Sequence, residues 1–165
     1  MIKLVVGLGN PGAKFERTRH NIGVRVVEAW AKGPGASMRT LYLLPADFMN
    51  NSGKVVAAAM KKHQVKMEEL LLVHDDLETS FGEVRIKEIG SAKGHNGVRS
   101  IHEMLGTQEI RRLMVGVSRP PAEIPADRYV LSKFNSEEET LLAEKVIPEA
   151  VQKIQIILTP RPLPE

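Results

Sequence analysis

The chain contains no cysteine in its 165 residues. That excludes disulfide staples, thiolate metal centres and a cysteine nucleophile, and it is compatible with a reducing, intracellular setting. Aromatic residues are scarce too, with four Phe, two Tyr and one Trp, which argues against a base-stacking platform for single-stranded RNA. No apolar run approaches the roughly 20 residues of a membrane span. The sequence goes straight into a strand with neither an apolar signal core nor an Arg/Ser-rich leader, so it reads as soluble and untargeted. Charge is nearly balanced, 23 Lys and Arg against 20 Asp and Glu for a net +3. The excess is uneven: residues 1–50 hold seven Lys/Arg against three Asp/Glu. So small an imbalance is ordinary for a solvated surface, and it also permits an anionic partner.

What is present is an alternation of strand and helix patterns, long enough to bury one core without staples. Ile2 to Val6 reads as a strand, Ile22 to Lys32 as a helix with Ile22, Val26, Val27 and Trp30 inward, and Thr40 to Leu44 as a short strand stopped by Pro45. Val55 to Gln64 is a second helix. Leu70 to Val73 is a continuous apolar run, the pattern of a central strand covered on both faces, and it ends on His74-Asp75-Asp76. Glu83 to Lys87 alternates charged and apolar residues, as a strand with one wet face does. A polar glycine loop, Gly90 to Gly97, leads to a helix marked by Val98, Ile101 and Leu105, followed by a strand over Leu113 to Val117. Arg119 to Asp127, with three prolines, reads as loop. Ser136 with Glu139 forms a capping box for a last helix whose inward side is Leu142, Val146, Ala150 and Ile154. The expected fold is a single α/β domain over 1–158, a twisted and mostly parallel sheet flanked by helices, with a proline-rich tail over 159–165 that frays.

The chemistry gathers at polar turns. Gly7-Leu-Gly-Asn-Pro-Gly12 matches the dinucleotide fingerprint, but no helix opens cleanly after Gly12 and no second strand ends in Asp or Glu to hold a ribose, so a nicotinamide or flavin enzyme is a poor fit. Asn10, His20, Asn50, Asp75, His95 and Asn96 remain. Singly, each has a plain explanation as a turn former, a helix cap or a surface histidine. Turns that follow the strands of a parallel sheet open on one edge and converge, and asparagines, a histidine and an aspartate there are the parts of a water-activating hydrolase. A divalent metal on His74, Asp75, Asp76 and His95 is the competing reading, weakened because a strand would turn Asp76 away from Asp75.

Five ordered motifs carry a resemblance. Gly7-Leu-Gly-Asn-Pro-Gly12, Thr18-Arg-His-Asn-Ile-Gly23, Phe48-Met-Asn-Asn-Ser-Gly53, Val73-His-Asp-Asp-Leu77 and Gly94-His-Asn-Gly97 together resemble the bacterial-type peptidyl-tRNA hydrolase family over nearly the whole chain. The resemblance implies a mixed, phosphorylase/hydrolase-like α/β fold and an esterase that frees tRNA from the peptide's C-terminal carboxyl. It implies His20 as general base with Asp75 as its orienting partner, and Asn96 as the amide that fixes water and carbonyl. Asn10 and Asn50 would hold the peptidyl and terminal-nucleotide ends, with Met49 and Phe15 in the same cleft and His95 shaping the loop. Arg85 and Lys87, with Lys93, would clamp tRNA phosphate. Met114 stands where a basic residue is common, Phe15 replaces a usual tyrosine, and the stretch before Phe48 is shorter than is typical. The resemblance implies no metal, no cofactor and no membrane, and a monomer in the cytoplasm, or in the mitochondrial matrix if the source is a eukaryote. A non-catalytic RNA-binding relative is the alternative, disfavoured by retention of His20, Asp75 and the three asparagines.

Overall fold

A computed structural model describes residues 1–36 and 38–160. Five strands form one sheet among these residues: β1 (Leu4–Gly7), β2 (Leu41–Leu43), β3 (Leu70–Asp76), β4 (Val84–Lys87) and β5 (Arg111–Gly116). Their order is β2-β1-β3-β5-β4. All neighbours are parallel except β4, which runs antiparallel to β5. Six α-helices accompany them: α1 (Ile22–Lys32), α2 (Ser52–His63), α3 (Asn96–Leu105), α4 (Ala126–Val130), α5 (Ser136–Leu141) and α6 (Ile147–Leu158). The mostly parallel sheet flanked by helices agrees with the sequence reading, and none of the helices is long and apolar enough to cross a membrane.

Strand periodicity divides the core in two. Val5, Leu71, Val73, Leu113 and Val115 pack with Val26, Val27 and Trp30 of α1 and Ile154 of α6. Leu4, Val6, Leu70 and Leu72 pack with Val56 and Met60 of α2 and Val98 and Ile101 of α3. The first layer comes very close to the sheet. A Cβ at Gly7 would stand 2.9 Å from the Gly23 carbonyl oxygen, and one at Gly23 would collide with the Val73 carbonyl. The first glycine of the apparent dinucleotide fingerprint therefore serves helix–strand contact, and only a single 3₁₀ turn, Ala13–Phe15, follows Gly12.

Several expectations need correction. The central strand runs three residues beyond Val73, because β5 continues to pair with it through Asp75↔Val115 and Asp76↔Gly116. The apolar face of the alternating segment is dry at one end only: Val84 is buried, whereas Ile86 is 44% exposed on this outermost strand. The capping box is Asn135 with Glu138, one residue earlier than expected. Glu139 is engaged elsewhere, holding Arg25 by two contacts of 3.0 and 2.7 Å. The last helix is interrupted by a π turn, Leu142–Val146, directly before α6. Pro148 lacks the N–H that would continue an α-helical ladder, and the wider turn offsets the drift of a four-residue stripe, so Leu142, Val146, Ala150 and Ile154 all stay buried. Of the expected tail, residues 161–165 lie outside the described part.

Candidate active site

His20 lies in a 3₁₀ turn (Arg19–Asn21) that leads straight into α1. The turn is fixed from both sides. Arg19 donates to the Lys133 carbonyl at 2.6 Å and to Ser132 Oγ at 2.8 Å, pairs with Glu138 at 2.9 Å, and lies over the Tyr129 ring at 4.4 Å. Asn21 exchanges two 2.9 Å bonds with the backbone of Asn10. Between these anchors His20 Nδ1 stands 3.0 Å from both carboxylate oxygens of Asp75. The side chains are 9% and 2% exposed. An Nδ1–H donating to the carboxylate leaves the Nε2 lone pair free, and His20 borders a cavity.

Asp75 has a second imidazole. His95 Nε2 is 2.8 Å from Asp75 Oδ1, and His95 Nδ1 accepts the Val98 backbone N–H at 3.2 Å as the cap of α3. Because Nδ1 accepts, Nε2 carries the proton and donates. One carboxylate thus orients two rings. Burial opposes charge on His20, but the field and hydrogen bond of Asp75 outweigh it, and its pKa is raised above 6.5. Asp75 shows the converse: burial pushes its carboxyl up, and the two imidazoles pull it well below 3.8. His74 packs edge-on against His95, centroids 4.8 Å apart, and donates from Nδ1 to the Asp75 carbonyl at 2.7 Å. Burial foremost, then His95, holds its pKa near about 3. The unfolded chain therefore takes up a proton below pH 6.5 that the folded protein refuses until about pH 3. Stability present above 6.5 declines across that window, by on the order of 4 kcal/mol at its foot.

The cavity, about 470 Å³, collects His20, Asp75, His95 and Asn96 with Arg85, Lys87 and Lys93. Asn96 Oδ1 accepts from Arg99 at 2.9 Å, which leaves its N–H₂ for a ligand. Asn10, Met49, Asn50 and Phe15 are not on this cavity wall; they form a separate group beside it. Asn10 Oδ1 accepts the Met49 N–H at 2.8 Å. Met49 is buried in the core with its sulfur against Gly97, Asn50 is exposed one residue on, and Phe15 meets Phe48 edge-to-face at 6.2 Å. The cations around the cavity come from residues 85–119, not from the basic first 50. Sequence reasoning missed Asn21, Arg112 and Arg119. The one signal for Asn21 was its place in the Thr18–Gly23 motif. Arg112 gave none, flanking a strand that reads as ordinary core.

The metal reading concerned His74, Asp75, Asp76 and His95. Asp76 instead accepts from Thr79 Oγ1 and the Glu78 N–H, and the donors that approach one another, within 4.8 Å, are His20, Asp75 and His95. These do not suit a cation. The lone pair His95 has to offer is already given to the Val98 N–H, so ligation through Nε2 would break the cap of α3.

An imidazole held on a buried carboxylate, beside a cationic cavity at the edge of an α/β sheet, has the parts of a hydrolytic α/β enzyme. Comparison with known proteins narrows that class. The family described as peptidyl-tRNA hydrolase matches residues 4–162. A peptidyl-tRNA hydrolase of Syntrophotalea carbinolica is 37% identical, with 95% of this chain and 91% of that protein covered. One of Staphylococcus epidermidis is 40% identical, with 93% and 90% covered. The crystal structure of peptidyl-tRNA hydrolase from Acinetobacter baumannii superposes with a TM-score of 0.85 at 32% identity, covering 95% of this chain and 88% of that one. The chain belongs to the peptidyl-tRNA hydrolase family.

Proposed function

We propose that this protein cleaves the ester between a peptide's C-terminal carboxyl and the 3′ ribose of tRNA by His20-activated water. The observation that carries the reading is His20 Nδ1 on both oxygens of Asp75 at 3.0 Å, with the opposite ring nitrogen left for the cavity. Water attacks the ester carbon as its proton passes to His20 Nε2. The carbonyl oxygen becomes an oxyanion and takes the Asn96 amide N–H. The bond to ribose then breaks, and the imidazolium returns the proton to the departing ribose oxygen, giving free tRNA and a peptide carboxylic acid that releases its remaining proton to solvent. The Asp75 carboxylate that raises the His20 pKa stabilises that imidazolium as it forms. Asp75 stays ionised and holds the tautomer.

Asn10, Met49, Asn50 and Phe15 are assigned to the peptide and the terminal nucleotide. Asn10 supports that role by keeping its Nδ2 out of the Met49 contact. Arg85, Lys87 and Lys93 are assigned to backbone phosphate, which positions a substrate without reading its sequence and suits an enzyme that accepts many tRNAs. The protein acts as a cytoplasmic monomer in this reading. The test is hydrolysis of an N-acetylaminoacyl-tRNA beside the same aminoacyl-tRNA with a free amine, using wild type and His20→Ala with chelator present. Release of the blocked substrate alone, lost in the variant and indifferent to chelator, is expected. No release from either, with tRNA still bound, would move the assignment to an RNA-binding relative without activity.

A further inference from the structure

A misplacement of about 1 Å in a catalytic group costs a reaction roughly a hundredfold in rate. His20 is open to that loss. It sits in a 3₁₀ turn of three residues whose leading residue, Thr18, gives no side-chain cap, and a single such turn is too short to hold its own direction. Its Nδ1 stands equally far, 3.0 Å, from the two Asp75 oxygens, a balance that a small pivot of the turn would break. What fixes the turn comes from its neighbours.

Asn21 ties one end to Asn10. The other end depends on Arg19, whose partners Ser132, Lys133 and Glu138 lie 113 to 119 residues further along the chain. Its guanidinium also lies over the Tyr129 ring at 4.4 Å and the Phe134 ring at 5.1 Å. The main chain follows the side chain: the Arg19 N–H donates to the Ser132 carbonyl at 3.0 Å, and Thr18 bridges to Lys133. That distant segment is itself docked, since the Tyr129 hydroxyl donates to the Val117 carbonyl at 2.7 Å and Phe134 is buried in the core. Ala126, Asp127 and Val130 of α4, where the segment begins, border the cavity.

Stability alone does not account for Arg19. Its side chain is 10% exposed and that of Glu138 18%, and its Nε–H is buried with no partner among the described residues. A buried ion pair of this kind is commonly no more stable than apolar residues of equal volume. What a guanidinium adds is a rigid plane with donors in two directions, which a lysine ammonium lacks. Here Nη1 serves Ser132 and Lys133 while Nη2 serves Glu138. Arg25 offers the comparison, for it ties α1 to Glu139, the next acid along, by two contacts away from the base.

We propose that Arg19 is a positioning residue for the reaction, locking the turn to the 129–138 segment so that His20 stays centred on Asp75. This rests on the hydrolase function proposed above and deepens it. Arg19 touches no substrate and moves no proton; it acts through His20.

The test compares Arg19→Lys, Ser132→Ala, their double variant and Arg25→Gln on N-acetylaminoacyl-tRNA. Arg19→Lys keeps the charge but not the fork, and it is expected to lower kcat roughly thirtyfold with KM within about twofold. The acid limb of kcat against pH should move down, because Asp75 is what lifts the base against its burial, His95 being the other titratable group against the ring. Ser132→Ala should cost about threefold alone and nothing further beside Arg19→Lys. Arg25→Gln should leave kcat within about twofold, even where the melting temperature falls as far. In proton NMR the His20 Nδ1–H resonance, carried downfield by its bond to Asp75, should move in Arg19→Lys and stay in Arg25→Gln. Unchanged turnover in Arg19→Lys, an equal loss of kcat in Arg25→Gln, or an unmoved resonance would overturn the proposal. If Arg19→Lys does not fold, Ser132→Ala decides: a lower kcat with a displaced resonance sustains the proposal, and anything less overturns it. An inactive wild type would instead sink the hydrolase reading, and the resonance would still decide whether Arg19 centres the ring.

Discussion

The His20–Asp75–His95 cluster and the Arg85–Lys87–Arg112 face border one cavity, and they treat their polar atoms in opposite ways. In the cluster, the nitrogens turned away from substrate are committed: Nδ1 of His20 to Asp75, Nε2 of His95 to Asp75, and Nδ1 of His95 to the Val98 N–H. On the basic face, among the described residues, Lys87 and Arg112 have no carboxylate in contact, and Arg85 has only Glu83, just before its strand, at 3.2 Å and largely exposed. The first arrangement fixes geometry before substrate arrives, which general base catalysis requires. The second leaves charge without a carboxylate, which under the proposed function a phosphate backbone answers, gaining affinity through counterion release. Chemistry and docking are separable here, and substitutions should divide along that line.

The largest effect belongs to the cluster. His20→Ala should lower kcat by about a thousandfold with tRNA binding close to normal, because the base is removed and no phosphate contact is touched. Single-turnover hydrolysis beside a filter-binding titration checks it. Near-normal turnover would end the proposed mechanism.

Asp75→Asn comes next, with a loss of roughly a hundredfold and a displaced pH profile. In wild type, burial lowers the His20 pKa and Asp75 more than restores it. Without the carboxylate only the burial remains, so the pKa falls and the acid limb of kcat against pH moves down, even as the plateau drops. The same change removes a stabilising pair. The share carried by His20, whose folded pKa is raised, is full below 6.5 and lost as pH climbs through the raised value; the share carried by Asp75 is full above 3.8 and lost as pH falls. An acid limb that moved upward would show that Asp75 does not set the base.

His95→Gln tests the sharing of that carboxylate, with an expected cost of about tenfold at neutral pH. Removing the His95 donor returns more of the Asp75 field to His20, so the acid limb should move up, opposite to Asp75→Asn. Two variants of neighbouring residues that shift one limb in opposite directions are hard to explain by general loosening. A change in kcat with no shift of the limb would reduce His95 to a cap of α3.

The contrast between the regions also explains what could be read from the sequence. His20 lies in a polar turn after β1 and Asp75 at the C-terminal end of β3, and a parallel sheet brings such ends to one edge, so their meeting was legible. That His95 donates to Asp75, beyond shaping its loop, was not, because it depends on how α3 approaches the sheet and on the Val98 N–H choosing the tautomer. Arg112 was hidden for a different reason. In the sequence it flanks an apolar strand, and only the β4–β5 register reveals Lys87 across from it. Met49 and Asn50 were expected in the same cleft as the base; the turn at Met49–Asn51 turns Met49 into the core and leaves Asn50 outside. The interrupted last helix follows from Pro148, which a hydrophobic stripe alone does not weigh.

The smallest effect, and the sharpest probe of the docking side, is Lys87→Ala on kcat itself. Lys87 makes no contact with His20, Asp75 or His95, so its loss should leave saturated turnover within about twofold while KM rises and the salt slope flattens by about one. The argument depends on ionic strength. At low salt the remaining cations still attract the stem and the defect shrinks, whereas near 0.15 M, where screening acts over about 8 Å, each missing contact counts fully. Measuring kcat and KM at both salts separates the cases. A fall in kcat as large as the rise in KM would mean that the basic face helps build the transition state, and the division between fixed chemistry and open docking would fail on its own ground.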